Sequence, residues 1–447
     1  MPSSLKVPLS IFLAALALRA LLFGGILARR GTDGFFQPDS GGYWTLGANL
    51  AAGHGFSQRP SPPFAPDAAR TPLYPVFLAG LMRLGAGPAA TILVQILLSV
   101  LTCLAVMAWT HRLTSCARAA CLAGLVMALD VPSILSANLV MTETLFTLLL
   151  ALAAMTASSG RAAPAGLVAG LCTLCRPIAI LLPVLWIPLF RRNLPKMVLF
   201  LAAALAVTAP WLLRNRDVFG SPFLSTDGSR NLLLAKAGGV LAAEEGIPLS
   251  AAGERLERQA QEGFGKDPAA DPAGYGRAQA ALAWRVLSEH PWTYVGNHIL
   301  SVPNLLLRPE RSALDLALGL ASGPTTLSGW EGERDPLGAL RRKTSRLTLT
   351  LVVLQMSMTA AIWPAFAYGL GALWRCRAFA AVWLLLSGIA YFCVFSGGPE
   401  AYARFRVPLM PFLAVGAGIG GAAMLRRAGT KNLRGLSGTD GPGLDPV

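Results

Sequence analysis

Long apolar segments separated by short polar turns dominate the chain. A membrane-spanning helix needs roughly 20 mostly apolar residues, and about ten segments meet or nearly meet this length. The pattern predicts spans near 7–28, 89–110, 117–136, 142–157, 163–175, 178–190, 197–213, 347–373, 379–395 and 407–425. The segment 73–84 is apolar but too short to cross, which predicts an amphipathic helix at the membrane interface. The predicted fold class is therefore an all-α polytopic membrane protein.

The chain changes character between 214 and 346, where most of the acidic residues lie. The stretches LAAEEGIPLSAAGERLERQAQEGF and GYGRAQAALAWRVLSEHP have helical periodicity, and HPWTYVGNHILSVPNLLLRP is typical of an interfacial segment. We therefore expect four parts. They are an N-terminal transmembrane module (1–213) with an outer loop at about 29–88, a water-exposed, mainly helical region (214–346), C-terminal spans (347–425), and a cytoplasmic, disordered tail (426–447).

Composition and charge refine this picture. Of the 447 residues, 54% are hydrophobic and only 14% are charged, yet the net charge is +15. In a soluble protein that charge would raise the question of nucleic acid, but here the basic residues fall mostly in alternate short turns, as the positive-inside rule requires. Arg29, Arg30 and the basic run at 341–346 are exceptions to the rule. The first span is expected to be an uncleaved anchor. The seven cysteines predict no disulfide framework, and neither zinc-type spacing nor a P-loop is present.

The first outer loop contains PDSGGYWTLGANLAAGHGFS followed by RTPLYPVFLAGL. It places Asp39 just beyond the first span. An ionisable residue held at the membrane boundary is costly, so its default interpretation is functional. Asp39 is therefore the first catalytic candidate. The alternative is that Asp39 or Ser40 only caps the helix that follows.

Glu143, in MTETLF, is the second catalytic candidate, because it begins an apolar helix on the same side of the membrane as Asp39 in this topology. The alternative is a carboxylate favoured by the helix dipole. Arginines on the outer side could bind a phosphate through their planar fork, or could simply snorkel or pair with acids. The substrate-binding candidates are Tyr43, Arg70, Tyr74, Arg176, Arg214, Asn215, Arg404 and Arg406.

Several sequence blocks resemble, in order, those of the bacterial GT-C glycosyltransferases. This polyprenyl-phosphate-sugar-dependent class includes protein O-mannosyltransferases and the lipid A aminoarabinose transferase. The blocks are PDSGGYWTLGANLAAGHGFS, RTPLYPVFLA, MTETLF, GLCTLCRP, APWLLRNRDVFGSPFLSTDGSRNL and EAYARFRVPLMP. The resemblance implies a GT-C-like transmembrane helix bundle, with Asp39 as the loop acid and Glu143 as the second acid. Ser40 stands where many relatives have another acid, so no metal ligand is assigned, although a divalent cation stays open.

The resemblance further implies an inverting hexosyl or pentosyl transferase. It would move a sugar from a polyprenyl-phosphate donor to an envelope glycan, lipid or protein acceptor. Asp39 would act as general base, and arginines would stabilise the leaving phosphate. The expected location is the inner (plasma) membrane, multi-pass, with the active site facing the periplasm or exterior. Expected partners are the lipid-linked donor, membrane lipid and the acceptor, and not nucleic acid.

Two other classes of function stay open. A polytopic transporter or flippase of lipid-linked saccharides would also contain many spans and intramembrane arginines. The sequence has no obvious pair of related halves, and its long outer segment is unusual for inverted repeats. A non-catalytic assembly factor would be favoured if Asp39 and Glu143 tolerated substitution.

Overall fold

The structure, a computed structural model, describes residues 3–310, 312–320, 346–399, 401 and 403–436. Within these ranges the regular structure is helical and contains no strand. The expectation of an all-α protein is thus confirmed. The helices before residue 220 are α1 (Ser3–Arg30), α2 (Ser40–Ala52), α3 (Leu73–Arg83), α4 (Pro88–Thr114), α5 (Ala117–Leu129), α6 (Val131–Ala137), α7 (Glu143–Ser158), α8 (Ala162–Cys175), α9 (Leu182–Leu185) and α10 (Leu194–Phe219).

The remaining helices form a middle group and a C-terminal group. The middle group is α11 (Asp227–Asn231), α12 (Gly238–Glu245), α13 (Leu249–Phe264), α14 (Pro272–Glu289), α15 (Pro291–Leu307) and α16 (Ser312–Ala317). The C-terminal group is α17 (Arg346–Arg375), α18 (Phe379–Ser396) and α19 (Met410–Leu436). Short 3₁₀ turns lie at Gly31–Phe35, Pro177–Leu181, Ile187–Phe190 and Ala403–Leu409, and a π-helical turn lies at Leu232–Ala237.

Six helical segments of the described chain are long and apolar enough to cross a membrane, fewer than the ten predicted spans. They are Pro8–Phe35, Pro88–Thr114, Leu194–Phe219, Thr348–Arg375, Phe379–Ser396 and Ala403–Arg427. The pair α5 and α6 passes the same test together but bends by 61°. A multi-pass membrane protein follows from these lengths and from the apolar character of the segments.

Three predicted spans, at 142–157, 163–175 and 178–190, form shorter or broken helices. The break after α8 has a local cause. Arg176 precedes Pro177, and the residue before a proline is pushed out of the helical region. Arg176 accordingly has an extended backbone (φ −143°, ψ 121°), and the chain continues as 3₁₀ turns around α9. This break places the Arg176 side chain at the end of α8 and not inside a continuous span.

Small residues allow the C-terminal helices to approach closely. A Cβ added at Gly420 would meet the backbone of Ala365 and Gly369 on α17. The same holds for Gly369, whose added Cβ would meet the backbone of Gly416. Such spacing of small residues is the usual way in which membrane helices bring their backbones together. The pairing of α17 with α19 fixes the direction of the segment that leads into α19, which contains Arg404.

The middle region has its own apolar cluster, which confirms the helical periodicity predicted there. Leu233, Val240, Leu256, Ala283 and Leu287 are buried in it.

The C-terminal tail differs from its prediction: α19 continues to Leu436, so residues 426–436 are helical where a disordered tail was predicted. Residues 437–447 lie outside the described part, as do residues 321–345 with the basic run at 341–343.

Candidate active site

Asp39 lies immediately before α2, at the position that a capping residue would occupy. Its side chain makes no capping hydrogen bond. The Ser40 hydroxyl instead accepts a hydrogen bond from the Gln37 backbone N–H at 2.9 Å. The capping interpretation of Asp39 is therefore wrong, and its carboxylate is directed to other partners.

Both oxygens of the Asp39 carboxylate face arginines. Arg70 Nη2 lies 3.3 Å from Oδ1, and Arg404 Nη2 lies 3.3 Å from Oδ2. The Asp39 side chain stays 38% exposed, and that of Arg404 35%. The central feature of the site is the Asp39 carboxylate, which lies between two guanidinium groups and stays open to solvent. The two arginines come from separate segments of the chain.

Arg70 is held by several contacts. Its Nη1 lies 2.6 Å from Asp227 Oδ2, and its guanidinium stacks 4.7 Å from the centre of the Tyr43 ring. The backbone N–H of Arg70 donates to Asp67 Oδ2 at 2.9 Å, and Gln58 donates to Asp67 Oδ1 at 2.6 Å. Asp67 thus orders the turn that presents Arg70.

Arg404 is less constrained than Arg70. Within the described chain its guanidinium pairs with Asp39 and lies 5.1 Å from the centre of the Phe405 ring, and Glu143 and Glu310 attract it electrostatically. A side chain with few contacts can change partner at small cost. Of the two arginines beside Asp39, Arg404 is therefore the one with fewer contacts to break.

The charges of the cluster shift its proton equilibria. Burial alone would raise the pKa of Asp39, but Arg404 and Arg70 outweigh burial and hold that pKa below its usual value. Burial raises the pKa of Asp227 despite the attraction of Arg70. Burial likewise raises the pKa of Tyr43 to about 12, so its hydroxyl stays neutral. Asp39 is therefore ionised at neutral pH, as a proton acceptor must be.

Glu143 lies in the first turn of α7, where the helix dipole favours a carboxylate. It forms a second acid–arginine pair: its Oε1 lies 2.8 Å from Arg176 Nη1. Only 2% of the Glu143 side chain is exposed, compared with 38% for Asp39. The Arg176 guanidinium also lies 5.7 Å from the centre of the Phe146 ring and 6.0 Å from that of Phe405. This pair is enclosed by aromatic side chains.

Phe405 and Tyr43 bring the two pairs close together. Phe405 lies beside both Arg176 and Arg404, and the Tyr43 ring meets the Tyr74 ring edge-on at 5.3 Å. The Tyr74 hydroxyl is fully buried and donates to Gln95 Oε1 at 2.7 Å. Tyr74 thus supports Tyr43 from behind and does not face the opening.

The other predicted residues are placed apart from the Asp39 carboxylate. Arg214 donates to the Asp67 backbone carbonyl at 3.3 Å and stacks 4.8 Å from the centre of the Trp211 ring. Asn215 is buried, and its amide donates to the Phe223 carbonyl at 2.6 Å. These two residues connect the end of α10 to the loop that contains Asp67.

Arg406, at 1% exposure, is also occupied elsewhere. It donates to the backbone carbonyls of Leu306 (2.9 Å) and Arg308 (3.2 Å). These bonds tie the segment before α19 to the end of α15. Five arginines were candidates for binding substrate. Arg70 and Arg404 contact Asp39, and Arg176 lies next to them. Arg214 and Arg406 instead donate hydrogen bonds to backbone carbonyls.

Two acids of the site were not identified from the sequence. Asp227 lies within the block APWLLRNRDVFGSPFLSTDGSRNL, so the block itself was the available signal. Glu310 follows α15, and burial raises its pKa although Arg404 and Arg406 oppose the shift. Its region is rich in acids, and no pattern distinguished it from the solvated ones.

The acids of the cluster do not fit a divalent cation well. Asp39 and Asp227 both pair with Arg70, and no group of three or more His, Cys, Asp or Glu in the described ranges is arranged to hold a metal. A cavity of 580 Å³ lies between α12, α15 and the segment before the Arg404 turn. Its polar lining includes Asn297, Ser301 and Asn304.

No protein-family model matches the chain, and a search of curated proteins found no match. Similar solved structures include the Archaeoglobus fulgidus oligosaccharyltransferase AglB in complex with an inhibitory peptide and a dolichol-phosphate (16% identity, TM-score 0.48, covering 96% of this chain and 52% of that one). The apo form of the A. fulgidus oligosaccharyltransferase gives 17% identity and a TM-score of 0.49, with the same coverage. This chain thus spans about half the length of those chains.

ArnT from Cupriavidus metallidurans bound to undecaprenyl phosphate is also similar, at 16% identity and a TM-score of 0.40, covering 95% of this chain and 80% of that one. Identities of 16–17% leave the activity of this chain to be argued from its own residues.

Proposed function

We propose that the protein is a membrane glycosyltransferase that moves a sugar from a polyprenyl-phosphate donor to a hydroxyl acceptor, with inversion at the anomeric carbon. The observation that carries the proposal is the partly exposed Asp39 carboxylate between Arg70 and Arg404. One group can accept a proton, and two cations beside it can receive a phosphate. A sugar-phosphate donor needs these two functions at one place.

The reaction would proceed by direct displacement. The acceptor oxygen attacks the anomeric carbon and its proton passes to Asp39, while the bond between that carbon and the phosphate oxygen breaks. The electron pair of this bond stays on the phosphate, which gains negative charge as it leaves. No general acid is required, because the leaving group is already a stable anion.

Arginine side chains would supply the positive charge at the leaving group. Arg404, which has few contacts, would turn from Asp39 to the phosphate, while Arg70 stays between Asp227 and Tyr43. Loss of one cationic partner would raise the pKa of Asp39 from its depressed value at the moment when it has to accept a proton. Donor binding and activation of the base are thus coupled in this proposal.

Glu143 would have a positioning role. Its burial prevents direct contact with an acceptor, but its ion pair orients Arg176 towards Phe405, beside Arg404. The acceptor would occupy the cavity of 580 Å³, a volume within the range of about 300–1,000 Å³ typical of ligand sites. The amide and hydroxyl groups of Asn297, Ser301 and Asn304 suit hydroxyl groups of a glycan.

The proposed location follows from the donor. A lipid tail requires apolar surroundings, and the sequence pattern puts Asp39 in an outer loop on the side opposite the basic turns. A protein of the inner membrane whose active site faces the periplasm or exterior would satisfy both the need for apolar surroundings and the predicted outer position of Asp39. The acceptor is an envelope glycan, lipid or protein.

The test is mass spectrometry of polyprenyl-phosphate sugars and envelope glycans in cells that lack the protein, contain it, or contain only the Asp39→Asn variant. We expect accumulated lipid-linked sugar and a glycan lacking one residue both in its absence and with Asp39→Asn. Rescue of the deletion by Asp39→Asn would contradict the proposal, because a transporter or assembly factor does not need this carboxylate.

A further inference from the structure

A second cavity, of 820 Å³, shares no lining residue with the Asp39 site and lies between the turn before α10 and the start of α18. Four basic side chains line it: Arg191, Arg192, Lys196 and Arg377. None of the four forms an ion pair within the described residues. The cavity therefore concentrates positive charge that no acid of the described chain neutralises.

The cavity and the Asp39 site lie at opposite ends of the same helices. Lys196 and Arg214 are 18 residues apart on α10, which corresponds to about 27 Å along the helix axis, close to the thickness of the bilayer core of about 30 Å. Arg214 contacts the loop of Asp67 at the outer end. The basic cavity thus faces the other side of the membrane, the cytoplasmic side by the positive-inside rule.

One wall of the cavity is apolar and continues into the membrane-facing surface of α18. Phe379, Val382, Trp383 and Leu386 have the i, i+3, i+4, i+7 spacing of one helix face, and all but Val382 are exposed. Trp374 is exposed beside them. Tryptophan is enriched at the boundary between headgroups and acyl chains. A basic cavity that continues into an exposed apolar helix face is complementary to a lipid with an anionic headgroup.

Arg377 gives an independent observation. Its backbone has φ +56°, in the left-handed region that favours glycine, in the turn between α17 and α18. The positive-inside rule alone does not require an arginine at this position, since a basic side chain on a neighbouring residue would favour the same membrane orientation. Residues with such an unfavourable backbone conformation cluster at functional sites.

We propose that this cavity binds the phosphate headgroup of an anionic phospholipid of the cytoplasmic leaflet, with an acyl chain along α18. Basic pockets between spanning helices on this face are suited to such headgroups. The site is separate from the proposed transfer reaction, and its existence does not depend on that reaction.

The test is native mass spectrometry of the full chain in detergent, titrated with phosphatidylglycerol. We expect one tightly bound lipid, with affinity reduced about fivefold in Arg377→Gly and about 25-fold in Arg191→Gln/Arg192→Gln. Arg377→Gly removes the guanidinium and at the same time relieves the backbone, so the protein should unfold at the same or a higher temperature. Arg112→Gln, an exposed arginine outside the cavity, is the matched control and should bind as the wild type does.

Two competition arms distinguish the source of the phosphate. Phosphatidylcholine and millimolar inorganic phosphate should both fail to displace bound phosphatidylglycerol. Displacement by either would overturn the proposal, as would unchanged affinity in both cavity variants. An equal loss in Arg112→Gln would also overturn it, since binding would then depend on total charge and not on this cavity.

Discussion

Asp39 and Glu143 are each paired with arginine, but the two pairs differ in access to solvent. Asp39 is 38% exposed and bridges two arginines, whereas Glu143 is 2% exposed and faces one. An exposed carboxylate can meet a substrate, while a buried one mainly determines where its partner points. In the proposed reaction this difference separates a reacting acid, Asp39, from a positioning acid, Glu143, although the sequence made both catalytic candidates.

The sharpest way to break this comparison is to remove the charge from each acid in turn. Asp39→Asn should lower kcat by about 100- to 10,000-fold, the usual contribution of a general base, without changing thermal stability. The measurement is sugar transfer by the purified protein in detergent or liposomes. Asp33→Asn, an exposed acid in the same loop, is the control and should stay active. Near-native kcat in Asp39→Asn would remove Asp39 from the chemistry.

Glu143→Gln should act mainly on stability. Removing one partner of a buried pair leaves Arg176 uncompensated, which costs about 3–5 kcal/mol. Thermal unfolding in detergent measures the loss, and the double variant Glu143→Gln/Arg176→Gln should recover part of it. Glu245→Gln breaks the exposed pair with Arg255 and should cost less than about 1 kcal/mol. Equal losses at Glu143 and Glu245 would show that burial of the Glu143 pair has no energetic consequence.

Arg404→Gln sharpens the comparison from the side of the cations. Its guanidinium is proposed to move to the donor phosphate, so its loss should weaken donor binding by about 10- to 100-fold, as expected for a charged hydrogen bond. Donor affinity by equilibrium binding is the measurement. Arg216→Gln, an exposed arginine near Arg214, serves as the control. Donor affinity that is equal in both variants would exclude Arg404 from the phosphate site.

The smallest expected effect concerns pH. Arg404 and Arg70 hold the pKa of Asp39 below its usual value against the effect of burial. Removing the Arg404 charge should raise that pKa, so the acidic limb of kcat/KM should move to higher pH in Arg404→Gln. Arg216→Gln should leave the limb in place. A shift to lower pH, or none, would mean that another group controls the limb.

The helical class was predictable from the sequence, because long apolar segments are local patterns. A lone acid beside such a segment is also a local pattern, and it singled out Asp39 and Glu143, which the structure pairs with arginines; their catalytic roles stay predictions. The pairing of Asp39 with Arg404 was not predictable, since the two residues are 365 positions apart in the chain and no local pattern connects them. The burial of Glu143 was missed for the same reason, because the aromatic side chains around Arg176 come from separate segments.

Ten spans were predicted, whereas six helical segments of the described chain are long and apolar enough to cross a membrane, and two of the differences fall where prolines interrupt apolar stretches. Pro177 follows Arg176, whose backbone is extended, and the chain changes to 3₁₀ turns there. Asp130, two residues before Pro132, also has an extended backbone, and the chain bends by 61° between α5 and α6. Hydropathy averages over such breaks and therefore counts each piece as a span. Asp227 was missed because a polar segment with many acids offers no criterion for choosing one of them.

The most direct test of the central claim separates donor binding from transfer in Asp39→Asn. The purified variant is given the labelled lipid-linked sugar identified in cells, and bound donor and transferred sugar are measured in a single turnover. The account predicts donor binding equal to or tighter than that of the wild type, because Arg70 and Arg404 lose a competing anion, together with loss of transfer. Transfer at the wild-type rate, or loss of donor binding in a folded variant, would contradict Asp39 as the base.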